Sequence, residues 1–166
     1  MRPFATALKR LDTIPGVARQ TTETLVSELS ADLSRFPSAA HLASWAGLCP
    51  GNDQSAGKRR SGKMRKGNPW LRAALIQAAQ AAARTRGTYL SAQYHRLAAR
   101  RGRKKAIAAV AHTILTIAYY LLTRGTEYAE LGPRYFDQHD QQRLTRRLVS
   151  RLEGLGYTVQ LERPAA

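Results

Sequence analysis

Apolar residues recur at helical spacing along most of this chain, in blocks separated by breaks that carry glycine or proline. Residues 11–31, LDTIPGVARQTTETLVSELSA, read as a hydrophobic lead-in, a Pro-Gly turn and a helix with Leu25, Val26 and Leu29 inward. Residues 38–46, SAAHLASWA, predict a short helix capped by Ser38 and ended at Gly47. GLCPGN is a turn-rich break, and a polar, basic loop follows over 51–67. Asn68-Pro69 then opens a helix well, because Asn supplies the cap and Pro at the first helical position loses no needed hydrogen bond. That helix, WLRAALIQAAQAAAR, sets Leu71, Ala74, Leu75, Ala78 and Ala82 on one face, and its alanines allow a neighbour to approach closely. It ends at Arg86-Gly87, and TYLSAQYHRLAAR forms the next helix with Leu90, Tyr94 and Leu97 aligned. RGRKK leads into AIAAVAHTILTIAYYLL (residues 106–122), which closes at Arg124-Gly125. Residues 126–139 read as a loop, and 140–153 as an amphipathic basic helix with Leu144, Leu148 and Leu152. YTVQL (157–161) alternates like a short strand with no evident partner. The fold class expected is mainly α: a helical domain with a helix-hairpin-helix-like N-terminal part and a basic loop before a three-helix core.

Charge changes this picture most. The chain has 166 residues, enough for one domain with a real core, and its 43% hydrophobic content argues against wholesale disorder. Its net charge is +16. No acid lies between Asp53 and Glu127, and residues 54–126 hold 16 Lys or Arg, so this segment carries the whole excess. Such a segment repels itself unless something anionic neutralises it, which points to nucleic acid first and an anionic membrane second. A single cysteine, Cys49, excludes an internal disulfide and any zinc site built on paired cysteines. MRPFATALKR lacks the apolar run of a secretory signal. Residues 106–122 are at the short end for a membrane span and contain His112, Thr113 and Thr116, so a buried core helix is the better reading.

Three features carry candidate chemistry. The first is IPGV, residues 14–17. An apolar residue, Pro-Gly and a second apolar residue before a helix form the core of a helix-hairpin-helix turn, whose backbone N–H groups can hold a DNA phosphate. Gly16 and Val17 are the candidates; Ala18 stands where a second glycine is usual, and an ordinary turn before a helix remains the alternative. The second is GNDQSAGKRRSGKMRKGNPWLR, residues 51–72. It is no Walker loop: five residues separate Gly51 from Gly57-Lys58, and Arg59 stands where the magnesium-binding hydroxyl belongs. What remains is two serines, Ser55 and Ser61, among Lys58, Arg59, Arg60, Lys63, Arg65 and Lys66. The plain reading is a solvated loop that rides along phosphates. The sharper reading makes a serine the nucleophile, with the cations on the non-bridging oxygens, but no obvious base is at hand. The four histidines, His41, His95, His112 and His139, show no metal-ligand spacing and read as packing or surface residues. The third feature is a scarcity: 11 scattered acids do not supply the clustered carboxylates of a metal nuclease.

LDTIPGV, TTETLVSEL, RFPSAAHLASWAGLCP, QSAGKRRSGKMRKGNPWLRAALIQAA and RGRKKAIAAVAHTIL resemble, in that order, the C-terminal half of transposases of the insertion sequence one-ten family, the bridge-RNA-guided recombinases. The resemblance runs from about residue 11 to 130, with GLCP…QSAGK…GK…KGN..LR its specific part. It implies a serine nucleophile that matches Ser55, with Ser61 the fallback. It implies DNA and a structured guide RNA as partners, a homo-oligomer and no membrane. It also implies a prokaryotic, cytoplasmic and nucleoid-associated location. It implies an N-terminal RuvC-like domain that holds Mg2+, so no cofactor or metal is expected in this chain, which would be a fragment or a truncated or mis-started product. The expected organisation is the end of a linker helix over 1–10, the serine-bearing domain over 11–139 and a C-terminal helix and tail over 140–166. The expected nucleic-acid contacts are Gly16, Val17, Lys58, Arg59, Arg60, Lys63, Arg65, Lys66, Asn68, Arg72, Arg101, Arg103, Lys104 and Lys105. A non-catalytic nucleic-acid-binding module is the competing reading, and a membrane-surface protein using residues 103–122 a weaker third.

Overall fold

The computed structural model describes residues 4–30, 33–49, 53–61, 66–139 and 141–162. The chain divides into two units, Met1–Pro133 and Arg134–Ala166. The first is built from helices α1 (Ala5–Asp12), α2 (Arg19–Leu29), α3 (Ala39–Trp45), α4 (Pro69–Arg84), α5 (Tyr89–Arg101) and α6 (Arg103–Arg124), with one antiparallel hairpin, β1 (Asp53–Ser55) and β2 (Lys58–Ser61), between α3 and α4. The second holds α7 (Tyr135–His139) and α8 (Gln141–Glu153). The fold is mainly α, as the apolar spacing predicts.

Helix α6 is the hub of the first unit. It packs against α1, α3, α4 and α5, and Val110, Ala111, Ile114, Leu115 and Ala118 are wholly buried. The helix is long and apolar enough to cross a membrane by length and composition. Its packing is that of a core helix, with neighbours covering one whole face. The predicted face of α4 is the one buried: Leu71, Leu75, Ala78 and Ala82 are covered, while Ala74 sits at the edge of the contact. Removing a buried leucine such as Leu75 costs about 2–5 kcal/mol in lost transfer energy and cavity. Polar ties join the helices at their margins. Gln93 Nε2 donates to Thr113 Oγ1 at 2.9 Å, linking α5 to α6, and Tyr119 Oη donates to the Phe36 carbonyl at 3.0 Å. Ser91, buried, gives its hydroxyl to the Ala83 carbonyl at 3.1 Å.

The Pro-Gly turn has a packing role. Gly16 has φ +82°, and a Cβ there would lie 2.3 Å from the Ala82 backbone nitrogen. The turn between α1 and α2 therefore rests directly on α4, and no side chain fits between them. Three local expectations are corrected. The basic stretch 51–67 is not loop throughout, because 53–61 pair as a hairpin. The stretch 126–139 contains α7. YTVQL forms no strand, since no strand among the described residues pairs with it; its first N–H, on Tyr157, donates to the Leu152 carbonyl at the end of α8 instead.

Candidate nucleic-acid interface

The hairpin turns on two residues, Ala56 with φ 50° and Gly57 with φ 75°. Positive φ at both central positions defines the mirror-image turn that matches strand twist in two-residue hairpins. Glycine adopts that conformation freely; Ala56 holds it at a steric cost of about 1–2 kcal/mol. The turn places Ser55 opposite Lys58 in the strand register. Directly opposed residues carry their side chains on the same face, with Cβ atoms about 5 Å apart. Both residues are exposed. Hence the serine hydroxyl and a lysine ammonium share one face of an open hairpin tip. The register then slips between Asp53 and Gln54, so that Asp53 faces Ser61 and Gln54 faces Arg59. Arg60 is the extra residue of this bulge, which bends and twists the strand that carries it.

The hairpin strands make their main contacts with each other, and the chain is clamped where it leaves them. A Cβ on Gly67 would lie 2.4 Å from the Ala46 carbonyl carbon, so the backbone there lies flat on the C-terminal end of α3. Asn68 comes next and does three things. Its Oδ1 accepts from the Trp70 and Leu71 N–H groups, each at 3.0 Å, capping α4. Its Nδ2 donates to Glu28 Oε2, tying α4 to α2. Arg72, half-buried, lies one turn further along α4. Trp70 projects from that first turn with 75% of its surface exposed. Sequence reasoning assigned Trp70 no role; an indole beside a basic run was the available signal, since exposed aromatics in basic grooves are the side chains on which bases stack.

The remaining expected contacts fall into separate places. Lys66 is exposed. Lys63 and Arg65 lie outside the described residues, and of Arg59 and Arg60 only the backbone is described. At the α1–α2 turn, Val17 buries its side chain, and its N–H donates to the Ile14 carbonyl at 3.0 Å. The cap of α2 is Ala18, which offers no side-chain acceptor, so the groups open to an anion are the N–H groups of the first turn, at Arg19 and Gln20. Arg101, Arg103, Lys104 and Lys105 are all exposed and surround Gly102, which ends α5 and begins α6 with φ +82°.

Three of the four histidines have local partners of their own. His41 Nδ1 bonds Ser38 Oγ at 2.8 Å, and His95 packs edge-on against Tyr94. His139 stacks on Tyr135 within the second unit. His112 sits half-buried on α6, where desolvation holds its pKa below the usual histidine value. Among the described residues no three His, Cys, Asp or Glu side chains gather as a metal site.

With this geometry in view, residues 8–95 match the family model described as "Transposase IS116/IS110/IS902 family". The chain is also 33% identical over 127 residues to a protein described as "Putative transposase y4pF/y4sB" from Sinorhizobium fredii (strain NBRC 101917 / NGR234). That alignment covers 74% of this chain and 33% of the relative, so the chain spans about a third of the length of the curated protein it matches.

Proposed function

The chain belongs to the IS116/IS110/IS902 transposase family, and on that premise we propose that it is the serine-bearing part of a DNA transposase, with Ser55 as the nucleophile. The observation that carries this reading is the exposed hairpin tip with Ser55 directly opposed to Lys58. Ser55 Oγ attacks the phosphorus of a DNA phosphodiester. A bond from Oγ to phosphorus forms as the serine hydroxyl gives up its proton, one bridging P–O bond breaks, and the departing strand end takes up a proton as a free hydroxyl. The phosphoserine link keeps the bond energy for rejoining, when a strand-end hydroxyl reverses the step. Lys58 and the arginines and lysines around it would hold the non-bridging oxygens, where negative charge builds.

The first-turn N–H groups of α2, presented by the turn at Gly16 and Val17, would seat a backbone phosphate without reading sequence. Magnesium would belong to the RuvC-like domain implied by the resemblance, because the described residues here offer no carboxylate set to hold it. A structured guide RNA that selects target DNA by pairing is consistent with a basic surface free of any base-reading motif. The partner set proposed is therefore DNA, guide RNA and further copies of the full transposase, in a bacterial cytoplasm.

The test is recombination between donor and target plasmids by the full-length transposase carrying substitutions in this domain. Ser55→Ala abolishes product, while Ser61→Ala retains it. Product from Ser55→Ala would leave the basic hairpin as a binding module without a catalytic serine.

A further inference from the structure

A second basic site lies in the cleft between α4, α5 and the start of α6, and it shares no lining residue with the hairpin. The cleft has a volume of about 890 Å³, within the range of small-molecule sites. Arg84 and Arg86 stand at its edge from the end of α4, and Arg103 and Lys104 from the first turn of α6. Among the described residues no acid ion-pairs with any of the four. The floor is apolar, with Ile76 and Ile107, and one wall is Tyr94 with the His95 ring against it at 5.1 Å. The cleft also takes in the N-terminal end of the 22-residue α6, whose cap residue, Gly102, offers no side-chain acceptor to the first-turn N–H groups. The sequence shows Arg103 and Lys104 as part of a charge run; only the fold brings them to Tyr94 and the end of α4.

We propose that this cleft holds one unpaired nucleotide of a nucleic-acid strand, its base against Tyr94 and the apolar floor and its flanking phosphates on Arg84, Arg86, Arg103 and Lys104. The two halves of the cleft call for one ligand carrying both chemistries. Four unneutralised cations call for phosphate, and a recessed aromatic and apolar surface calls for a planar base. An unpaired strand suits it better than a duplex, because a paired base leaves the stack only at a cost. The inference rests on the nucleic-acid reading above but not on Ser55 chemistry, so the two fail separately.

Fluorescence anisotropy of the full chain with labelled ten-nucleotide thymidine or uridine strands, and with an abasic strand of equal charge, tests it. The base-bearing strand binds at least about fivefold tighter than the abasic one, the smaller end of the stacking range. Tyr94→Leu removes that difference and leaves the salt dependence unchanged. The exposed pair Arg86→Glu and Arg103→Glu weakens both strands and flattens the salt slope by about 0.7 for each cation lost. A strand carrying 4-thiothymidine cross-links, on irradiation, to Tyr94 or His95, which decides the matter even if Tyr94→Leu fails to fold. Preference for uridine or thymidine names the strand as RNA or DNA, and either supports the site. Equal binding of the abasic strand, or cross-links that all fall outside the cleft, overturns the proposal. Displacement of the cross-link by an equimolar nucleoside monophosphate also overturns it, in favour of a free-nucleotide site. Cross-links missing at both Tyr94 and His95 alongside an intact Ser55 adduct sink the cleft alone.

Discussion

Single residues decide how the α1–α2 turn and the hairpin are framed. Gly16 combines a left-handed φ with contact against the α4 backbone, so any side chain is excluded twice. Gly16→Ala is expected to destabilise the protein by at least about 1–3 kcal/mol, the range for a strained backbone position, read from urea unfolding. Unchanged stability would mean that the α1–α2 turn does not rest on α4 as described. Ala56 is the reverse case: a non-glycine residue sits in a left-handed turn. Ala56→Asn keeps a side chain and suits that conformation better. Slower amide exchange across 53–61 is the expected result, with no change in the protection of α4 and α6. His112 gives a pH dependence. Its folded pKa lies below the unfolded value because burial disfavours the charged ring. Above the ordinary histidine value of about 6.5 the ring is neutral in both states and costs nothing. As pH falls below that value the unfolded chain takes up the proton first, and stability drops through the folded pKa. Melting temperatures from pH 7.5 to 5 should therefore fall less steeply in His112→Gln than in the wild type.

At the scale of elements, the legible parts were those specified by local chemistry. Asn68-Pro69 announces the start of α4, Ser38 the start of α3, and the 106–122 apolar run the hub helix, and each forms close to where its signal places it. The cap at Asn68 reaches further than sequence could show, since its second amide function ties α4 to Glu28 on α2, 40 residues away. Asn68→Ala is expected to cost about 1–2 kcal/mol, the upper part of the range for a lost cap, because Glu28 also loses its partner. Calorimetry would reveal this, and a loss below a few tenths of a kcal/mol would show the tie to be idle. The hairpin was not legible: its strands are three and four residues long, carry charge rather than alternating apolar residues, and turn on Ala56 where Asn or Gly would have signalled a turn. YTVQL shows the converse, alternation without a partner. The cleft was hidden because its lining comes from α4, α5 and α6, which only the fold brings together.

For the whole molecule, the +16 charge and its confinement to residues 54–126 pointed to a polyanion from the start. Folding divides that charge among the hairpin, the α5–α6 corner and the cleft beside it, on a core of α4 and α6. Charge alone favours a binding loop over a nucleophile, and the proposed serine chemistry rests on Ser55 opposed to Lys58 at an exposed tip. The chain corresponds to about a third of its curated relative, and the proposed chemistry needs the rest. The central claim is tested most directly by trapping the covalent intermediate. The full-length transposase is incubated with its guide RNA and a nicked suicide DNA substrate, digested, and the nucleotide-bearing peptide sequenced by mass spectrometry. The account predicts a phosphodiester-linked nucleotide on Ser55, absent in Ser55→Ala. A nucleotide attached at Ser61 or any other residue, or recombination without a covalent adduct, would contradict it.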